Sequence, residues 1–412
     1  MEDLLFDMHR YDIRTSWRRN FEDIDNIDEG YALSMFYSGY NDKIHNAVIP
    51  YILALFAVRH FKDYDFDYVC DVDVGVGNFM LAYLETIGEE RAKKMLKEKR
   101  IVLFEDNPVS LYISKKRIFE KYGIYPTTRM YFEIFENSLC LSYLPKKDIG
   151  DYEYSAIVSY SKDLESLNLE GGGYIYNFNG RPHSVLYEKD SFRDPSYDIL
   201  SLVIKDKSDG FRTTGYINIK NDERDELLSL NLTSLLGRNK QYDKFRFVYP
   251  LYEDLYDKWI NISSNTLKSL TGQNKGVLSI KKNSYYNVSA FVGEIKGDCF
   301  NLYFDDFSKL AYAYLMLNSS LVFLYNSANN RYPLKLTREI IDNTPVFFDK
   351  MNKERIIEMY NYVRSKKEID AVVRDMINKF LLYEVKIECP SMSLLHTDST
   401  LSFIKEIINE EN

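Results

Sequence analysis

The chain has 412 residues, 45% hydrophobic and 28% charged, with 53 Lys+Arg against 62 Asp+Glu for a formal charge of −9. That is enough chain for a large core in two or three domains; the acidic balance argues against a protein coated in phosphate contacts, although one basic cleft on an acidic body stays compatible with nucleic acid. Four cysteines (Cys70, Cys140, Cys299, Cys389) and five histidines show no metal-ligand spacing and no Cys-x-x-Cys, so zinc chemistry and a cysteine nucleophile have no support and no metal is expected.

Met1 to Phe6, followed by Asp7 and His9, has neither the basic stretch and apolar core nor the cleavage site of a signal peptide. No apolar run is long enough to cross a membrane, so no membrane association is expected and the expected location is the cytoplasm. Within Ser16 to Glu22, Arg18 and Arg19 could reach a phosphate, but a run of this kind is more often a solvated helix face. Ile44 to Phe61, entered after Gly39, Asn41 and Asp42, reads as a mostly apolar helix. No Gly-x-x-x-x-Gly-Lys-Ser/Thr occurs, which removes the simple helicase and translocase readings.

The densest signal is Val69-Cys70-Asp71-Val72-Asp73-Val74-Gly75-Val76-Gly77-Asn78-Phe79-Met80, an apolar strand ending in Asp-x-x-x-Gly-x-Gly. Glycines without a Cβ let the backbone turn sharply from strand to helix and touch a ligand, and Asp71 supplies an acceptor. A dinucleotide fingerprint would want a third Gly or Ala where Met80 stands, and its acid about twenty residues on. Here the acid comes later, as Glu105 after Ile101-Val102-Leu103-Phe104, where a second parallel strand would present a carboxylate to a ribose diol. Between the two, Leu81 to Lys97 reads as one helix, with Leu81, Leu84, Ile87, Ala92 and Leu96 on its apolar face. Strand, helix and strand form a parallel unit.

The turn resembles the first motif of the gamma-type N6-adenine DNA methyltransferases, the group of type I modification subunits and fused restriction-modification enzymes. That motif commonly reads Asp-Pro-x-Cys-Gly-x-Gly-Asn-Phe-Leu, and the match lies at Asp71, Gly75, Gly77, Asn78 and Phe79. The resemblance implies S-adenosylmethionine as cofactor, with Glu105 on its ribose and Pro108 opening the next helix through Ser110 to Phe119. It also implies that Asn137, in Phe135-Glu136-Asn137-Ser138-Leu139, stands at the Asp of an Asp-Ser-Leu motif facing the adenine, where an amide could still accept from the amino group. Two departures accompany this one. The Thr-Pro ahead of the glycine motif is missing, and Asp73 would bring a charge near the methionine end of the ligand, where another carboxylate costs binding unless a cation compensates.

Enzymes of that family stack and hydrogen-bond a flipped adenine with Asn-Pro-Pro-Tyr. The strand Tyr154 to Ser159 stands where the motif should follow, but the next residues are Tyr160, Ser161, Lys162 and Asp163. Leu167 to Tyr176, with Gly171 to Gly173 resembling the turn into a later strand, follows almost at once. Asp106-Asn107-Pro108-Val109 lies on the cofactor side and lacks the aromatic. The resemblance therefore implies a methyltransferase fold that has lost adenine chemistry; if the loop has only diverged, Tyr160 is the catalytic candidate, stacking on the flipped base, with Ser159 or Asp163 contacting its amino group. Asp198 to Ile204 and Gly215 to Ile219 read as strands completing the sheet.

Basic residues gather after this region: Arg238, Lys240, Lys244 and Arg246, then Lys275, Lys281 and Lys282, then Arg331, Lys335 and Arg338. With 35 Tyr and 25 Phe in the chain, aromatics beside lysines, such as Tyr285 and Tyr286, are more often core or strand residues than base-stacking platforms. From Gly276 to Phe348, short strands lead into a helix over Phe307 to Tyr325, a loop over Asn326 to Tyr332, a strand over Tyr332 to Arg338, and Thr344-Pro345-Val346. This resembles the target-recognition domain of the same enzymes. Asn318, Ser319 and Ser320 read as close-packing residues. The loop, with three Asn and Arg331, carries donors and acceptors suited to base edges. The DNA-binding candidates are Lys281, Lys282, Arg331, Lys335 and Arg338. Asn352 to Ser365 and Glu368 to Tyr383 read as two amphipathic helices resembling those that close such domains and dock partners. A loop around Pro390 precedes a short helix from Leu401 to Glu411.

The expected architecture is α/β: N-terminal helices over 1–66, a Rossmann-like class I methyltransferase domain over 67–225, a mixed α+β target-recognition-like domain over 226–349, and closing helices over 350–412. Three functions stay open on the sequence. One is a recognition or partner subunit of a restriction-modification or defence system, binding duplex DNA beside a separate catalytic methyltransferase or restriction chain. Another is an active S-adenosylmethionine-dependent adenine methyltransferase with a diverged loop. The third is an interaction protein, a pseudoenzyme keeping only the fold.

Overall fold

Helices covering both faces of a parallel sheet demand apolar side chains on both sides of each strand. Tyr68–Val72 (β1), Ile101–Phe104 (β2), Ser138–Tyr143 (β4) and Tyr154–Tyr160 (β5) meet that demand, β2 being buried along its whole length. The computed structural model describes residues 49, 51–105, 108–129, 133–143, 149, 151–160, 170–180, 200–237, 248, 250–273, 276–283, 287–329, 336–396 and 399–410. With Thr127–Arg129 (β3), Gly172–Gly180 (β6), Leu200–Asp206 (β7) and Phe211–Ile219 (β8), the strands form one sheet in the order β3-β2-β1-β4-β5-β7-β6-β8. The first five strands are parallel, and β7 runs against both β5 and β6. The chain is thus α/β with a Rossmann-like, methyltransferase-type sheet; the reversed β7 between β5 and β6 separates it from the dinucleotide-binding order.

Helices Tyr51–Val58 (α1), Asn78–Thr86 (α2), Glu89–Lys97 (α3) and Pro108–Tyr122 (α4) belong to this sheet's unit. The single helix expected over 81–97 is two. Gly88 breaks it at φ +87, a conformation that side-chain-bearing residues avoid, and α2 starts earlier, directly out of the glycine turn. Asn78 opens α2 and its Nδ2 donates to Ile49 O at 2.9 Å, tying the turn to the segment leading into α1.

The described residues up to Arg212, with Ile219–Leu232, make one compact unit; Thr213–Asn218 and the described residues from Thr233 make the other. In the second, Tyr252, Tyr256 and Trp259 on Pro250–Ile262 (α5) pack into one core with most of Phe307–Leu317 (α6) and Ser320–Asn329 (α7). Gly276–Lys281 (β9) lies between antiparallel Ala290–Val292 (β10) and Cys299–Phe304 (β11), with Leu278, Ile280, Leu302 and Phe304 buried.

The helix expected over 307–325 is also two, bent by 66°. Asn318 sits at the bend: its Nδ2 donates to Tyr314 O and Ala290 O, and its Oδ1 accepts from Ala290 N, so one amide both ends α6 and clasps β10. Ser320 opens α7; its N donates to Asn378 Oδ1 at 2.8 Å and its Oγ lies 2.7 Å from His396 Nε2. These polar residues are structural. α7 then runs on through two of the three Asn of the expected loop: Asn326 is fully buried, which takes it out of base reading, and the exposed Asn329 donates from its Nδ2 to Tyr256 OH. The closing helices are Lys353–Arg364 (α8) and Ala371–Glu384 (α9), capped by Asn352 and Asp370 side chains that accept from Arg355 N and Val373 N, followed by Leu401–Glu410 (α10). Among the described residues no single helix is long and apolar enough to cross a membrane.

Candidate cofactor turn and nucleic-acid face

Parallel pairing of β1 with β2 sets Asp71 beside Leu103 and Val72 beside Phe104, so both strands end at the same level. Asp73 N and Val74 N donate to Phe104 O at 3.1 and 3.3 Å. The chain then reverses through left-handed positions at Asp73 (φ +60), Gly75 (+54) and Gly77 (+84). Across this turn Glu105 Oε2 accepts from Gly75 N at 2.9 Å. The glycine turn and the carboxylate of the neighbouring strand therefore meet, beside the point where the sheet order switches from β1 to β4, which is where open α/β sheets hold ligands.

Asp71 is buried behind the turn, and its Oδ2 accepts from Met80 N at 3.1 Å in the first turn of α2. Burial raises its carboxyl well above the usual carboxylate range; the Met80 N–H works against this, and the charges of Glu105 and Asp73 add to the rise. Asp71 thus joins strand to helix. Phe79 is likewise buried, a packing residue of α2.

The two glycines differ. Among the described residues a Cβ on Gly75 would meet nothing within 4 Å, whereas one on Gly77 would stand 2.9 Å from Ser114 Cβ on α4. Gly75 faces open space, and Gly77 is there for the approach of a helix. Arg117, one turn along α4 from Ser114, donates to Val76 O at 2.6 Å and to Asn78 Oδ1 at 2.9 Å, closing the turn from behind. No sequence signal marks Arg117, since its contact spans 41 positions.

Asn137 is not brought to this site. It precedes β4, at the end of the sheet where the parallel strands begin; Asp67 N donates to its carbonyl, and its Nδ2 donates to Asp67 Oδ2 at 3.2 Å. Its φ of +44 belongs to the tight turn leading into β4. Tyr160 does lie at the ligand end, closing β5, but two strands over from β1, roughly 10 Å across the sheet, and it is nearly buried. Residues 161–163 lie outside the described residues.

Two of the four cysteines sit side by side in the sheet. Cys70 on β1 and Cys140 on β4 are register partners, both fully buried. Burial pushes the Cys70 thiol up to about 12 and the Cys140 thiol well above its ordinary range, so these are inert packing residues.

In the second unit, Lys281 ends β9 with its Nζ 5.4 Å from the centre of the Phe291 ring. Lys282 Nζ lies 2.9 Å from Asp298 Oδ1 and over the Phe300 ring. Arg338 Nε pairs with Asp342 Oδ1 at 2.8 Å while its Nη1 donates to Asn301 O on β11. These three cations are thus brought to one small sheet. Arg331 and Lys335 lie outside the described residues, as do Arg238, Lys240, Lys244, Arg246 and Lys275. Among the described residues no group of His, Cys, Asp and Glu could hold a metal ion.

No family model and no curated protein matches the chain. Among solved structures, a nuclease-deletion mutant of the type ISP restriction-modification enzyme LlaGI in complex with a DNA substrate mimic aligns at 12% identity, TM-score 0.43, over 80% of this chain and 55% of its own. A modification subunit assigned to a type I restriction enzyme of Vibrio vulnificus aligns at 12% identity, TM-score 0.35, over 59% of this chain and 60% of its own. The type IIG restriction endonuclease BpuSI aligns at 9% identity, TM-score 0.36, over 92% of this chain and 68% of its own. The chain therefore spans less than two thirds of the first two. At such scores the likeness carries no argument, and the fold rests on the strand order.

Proposed function

We propose that this chain is a DNA-binding protein of the restriction-modification type, a methyltransferase-like body joined to a recognition domain and working as the recognition or partner subunit of a separate catalytic chain. The observation that carries the reading is the meeting of Gly75 and Glu105 at the ligand end of a methyltransferase-type sheet. The residues fit S-adenosylmethionine: the open space at Gly75 admits close approach of a ligand, and Glu105 is the acceptor for its ribose diol. When bound, that cofactor supplies an electrophilic methyl group. The Asn-Pro-Pro-Tyr that would present an adenine to it is missing from the sequence after β5, so the chain on its own holds cofactor without transferring the methyl group.

Duplex DNA is taken up at the β9–β11 sheet through Lys281, Lys282 and Arg338, and Arg331 and Lys335 are proposed as further contacts on the sequence alone. Binding should fall steeply with salt, as phosphate contacts require, and reversing Lys281 and Lys282 to Glu together should weaken it. Salt-independent binding would sink the DNA part of the reading. Labelled methyl transfer to DNA by the lone chain, lost in Tyr160→Ala, would replace the reading with an active enzyme. Loss of both cofactor and DNA binding would leave an interaction protein.

A further inference from the structure

The outer side of α9 is as apolar as its inner side. Val373, Ile377, Leu381 and Leu382 are buried together with Arg374 and Asn378. On the other side Val372, Met376 and Tyr383 are exposed, Val372 at 68% and Tyr383 at 72%, with Asp375, Lys379 and the partly buried Phe380 among them. At 3.6 residues per turn these six fall in one stripe. Tyr362 of α8, also exposed, sets its OH 3.8 Å from Met376 Sδ and widens the patch. Exposed apolar side chains grouped on one helix face mark an interaction site rather than scattered surface residues.

The order of residues along the stripe says what covers it. Reversed about a midpoint between Ile377 and Asn378, the stripe maps onto itself, Val372 onto Tyr383, Asp375 onto Phe380 and Met376 onto Lys379. Two copies laid antiparallel bring Asp375 of each within about one residue rise, ~1.5 Å along the axis, of Lys379 on the other. The acid and base that already pair within one helix, at 2.7 Å, then pair between helices as well. The same operation sets Val372 of each copy against the open groove of about 530 Å³ bordered by Phe380, Tyr383, Ile387 and Cys389 at the far end of the stripe. Knob, groove and charges all match under one twofold axis, the self-complementarity that a closed dimer needs.

We propose that α9 is a homodimer interface in which two copies of the chain pack stripe against stripe. The helix has 14 residues, about 21 Å, a contact smaller than a standard protein interface, so the dimer forms and dissociates with concentration. The proposal leans on neither the cofactor nor the DNA reading.

Sedimentation of the full chain over roughly a hundredfold range of concentration is expected to show the mass rising from monomer towards dimer. Val372→Asp should hold it monomeric with its circular dichroism unchanged, because Val372 is exposed. Asp375→Lys and Lys379→Asp, each alone, set like charges across the axis and should weaken association about tenfold. Mixing the two variants should restore it, since each supplies the charge the other lacks, a recovery that an ion pair confined to one chain cannot produce. A chain that stays monomeric throughout, or a dimer indifferent to Val372→Asp and to mixing, overturns the proposal. So does an α9 whose amide protection rises only when DNA or a different protein is added.

Discussion

The carboxyl groups at the glycine turn are held by backbone N–H groups, whereas Lys282 and Arg338 at the β9–β11 sheet are each paired with a side-chain carboxylate, Arg338 also donating to Asn301 O. Glu105 meets Gly75 N and Asp71 meets Met80 N; Lys282 meets Asp298 and Arg338 meets Asp342. Backbone donors move only if the fold moves, so the turn is a preformed site whose acceptors stay in place. The side chains of Lys282 and Asp298 are both open to solvent, and such a pair is worth little and exchanges partners readily, so on the proposed reading a phosphate can take the place of Asp298. The first arrangement suits a small ligand of fixed shape, the second a charged polymer.

If the turn is built as described, its two glycines respond differently. Gly77→Ala forces a Cβ into Ser114 and a left-handed conformation together, and should cost about 2–4 kcal/mol of unfolding free energy. Gly75→Ala meets open space and carries only the conformational strain, about 1 kcal/mol. Denaturant midpoints separate the two, and equal losses would show that Ser114 gives way.

The sheet should respond in affinity rather than in stability. Lys281→Glu with Lys282→Glu is expected to cost about 1–3 kcal/mol of duplex binding and to flatten its salt dependence, with little change in melting. Lys281→Glu alone should cost more than Lys282→Glu alone, because Asp298 already neutralises Lys282.

Asp71 sharpens the contrast through pH. Its folded carboxyl sits above the ordinary range, so the stability it contributes is full below its unfolded value near ~4 and is lost as pH rises through the folded value. Asp71→Asn keeps an acceptor for Met80 N and removes that loss. The variant should match the parent in acid and be the more stable of the two at neutral pH. A variant less stable at neutral pH would mean that the N-terminal turn of α2 holds the ionised form after all.

Smallest of all, Asp298→Ala should leave folding within about 0.5 kcal/mol while releasing Lys282 and tightening DNA binding slightly. Unchanged affinity would show that Lys282 does not meet phosphate.

The turn was legible because a strand-helix-strand crossover has one hand and puts the ends of both strands on the same edge of the sheet, where the observed register sets Glu105 beside Gly75. Side chains whose role depends on distant elements were not. Gly77 reads as room for a ligand and proves to be room for α4, because the motif does not say which helix passes over it. Asn137 stands at the Asp of a motif expected to face the adenine, and the structure sets it just before β4, at the other end of the strands, since Phe135 to Leu139 has no pattern that fixes where pairing starts. Asn326 reads as a loop amide and is buried in α7, where the apolar period continues through Phe323, Leu324 and Ala328. The bend at Asn318 was hidden for the same reason: its partner, Ala290, lies on another strand.

Calorimetric titration of S-adenosylmethionine into the full chain and into Glu105→Gln tests the pairing of turn and carboxylate most directly. The wild-type chain should bind with measurable heat, and the variant at least about tenfold more weakly, a difference of ~1.4 kcal/mol, with both unfolding at the same temperature. No heat from the wild-type chain, or equal binding by both, would contradict the assignment of this turn as the cofactor site.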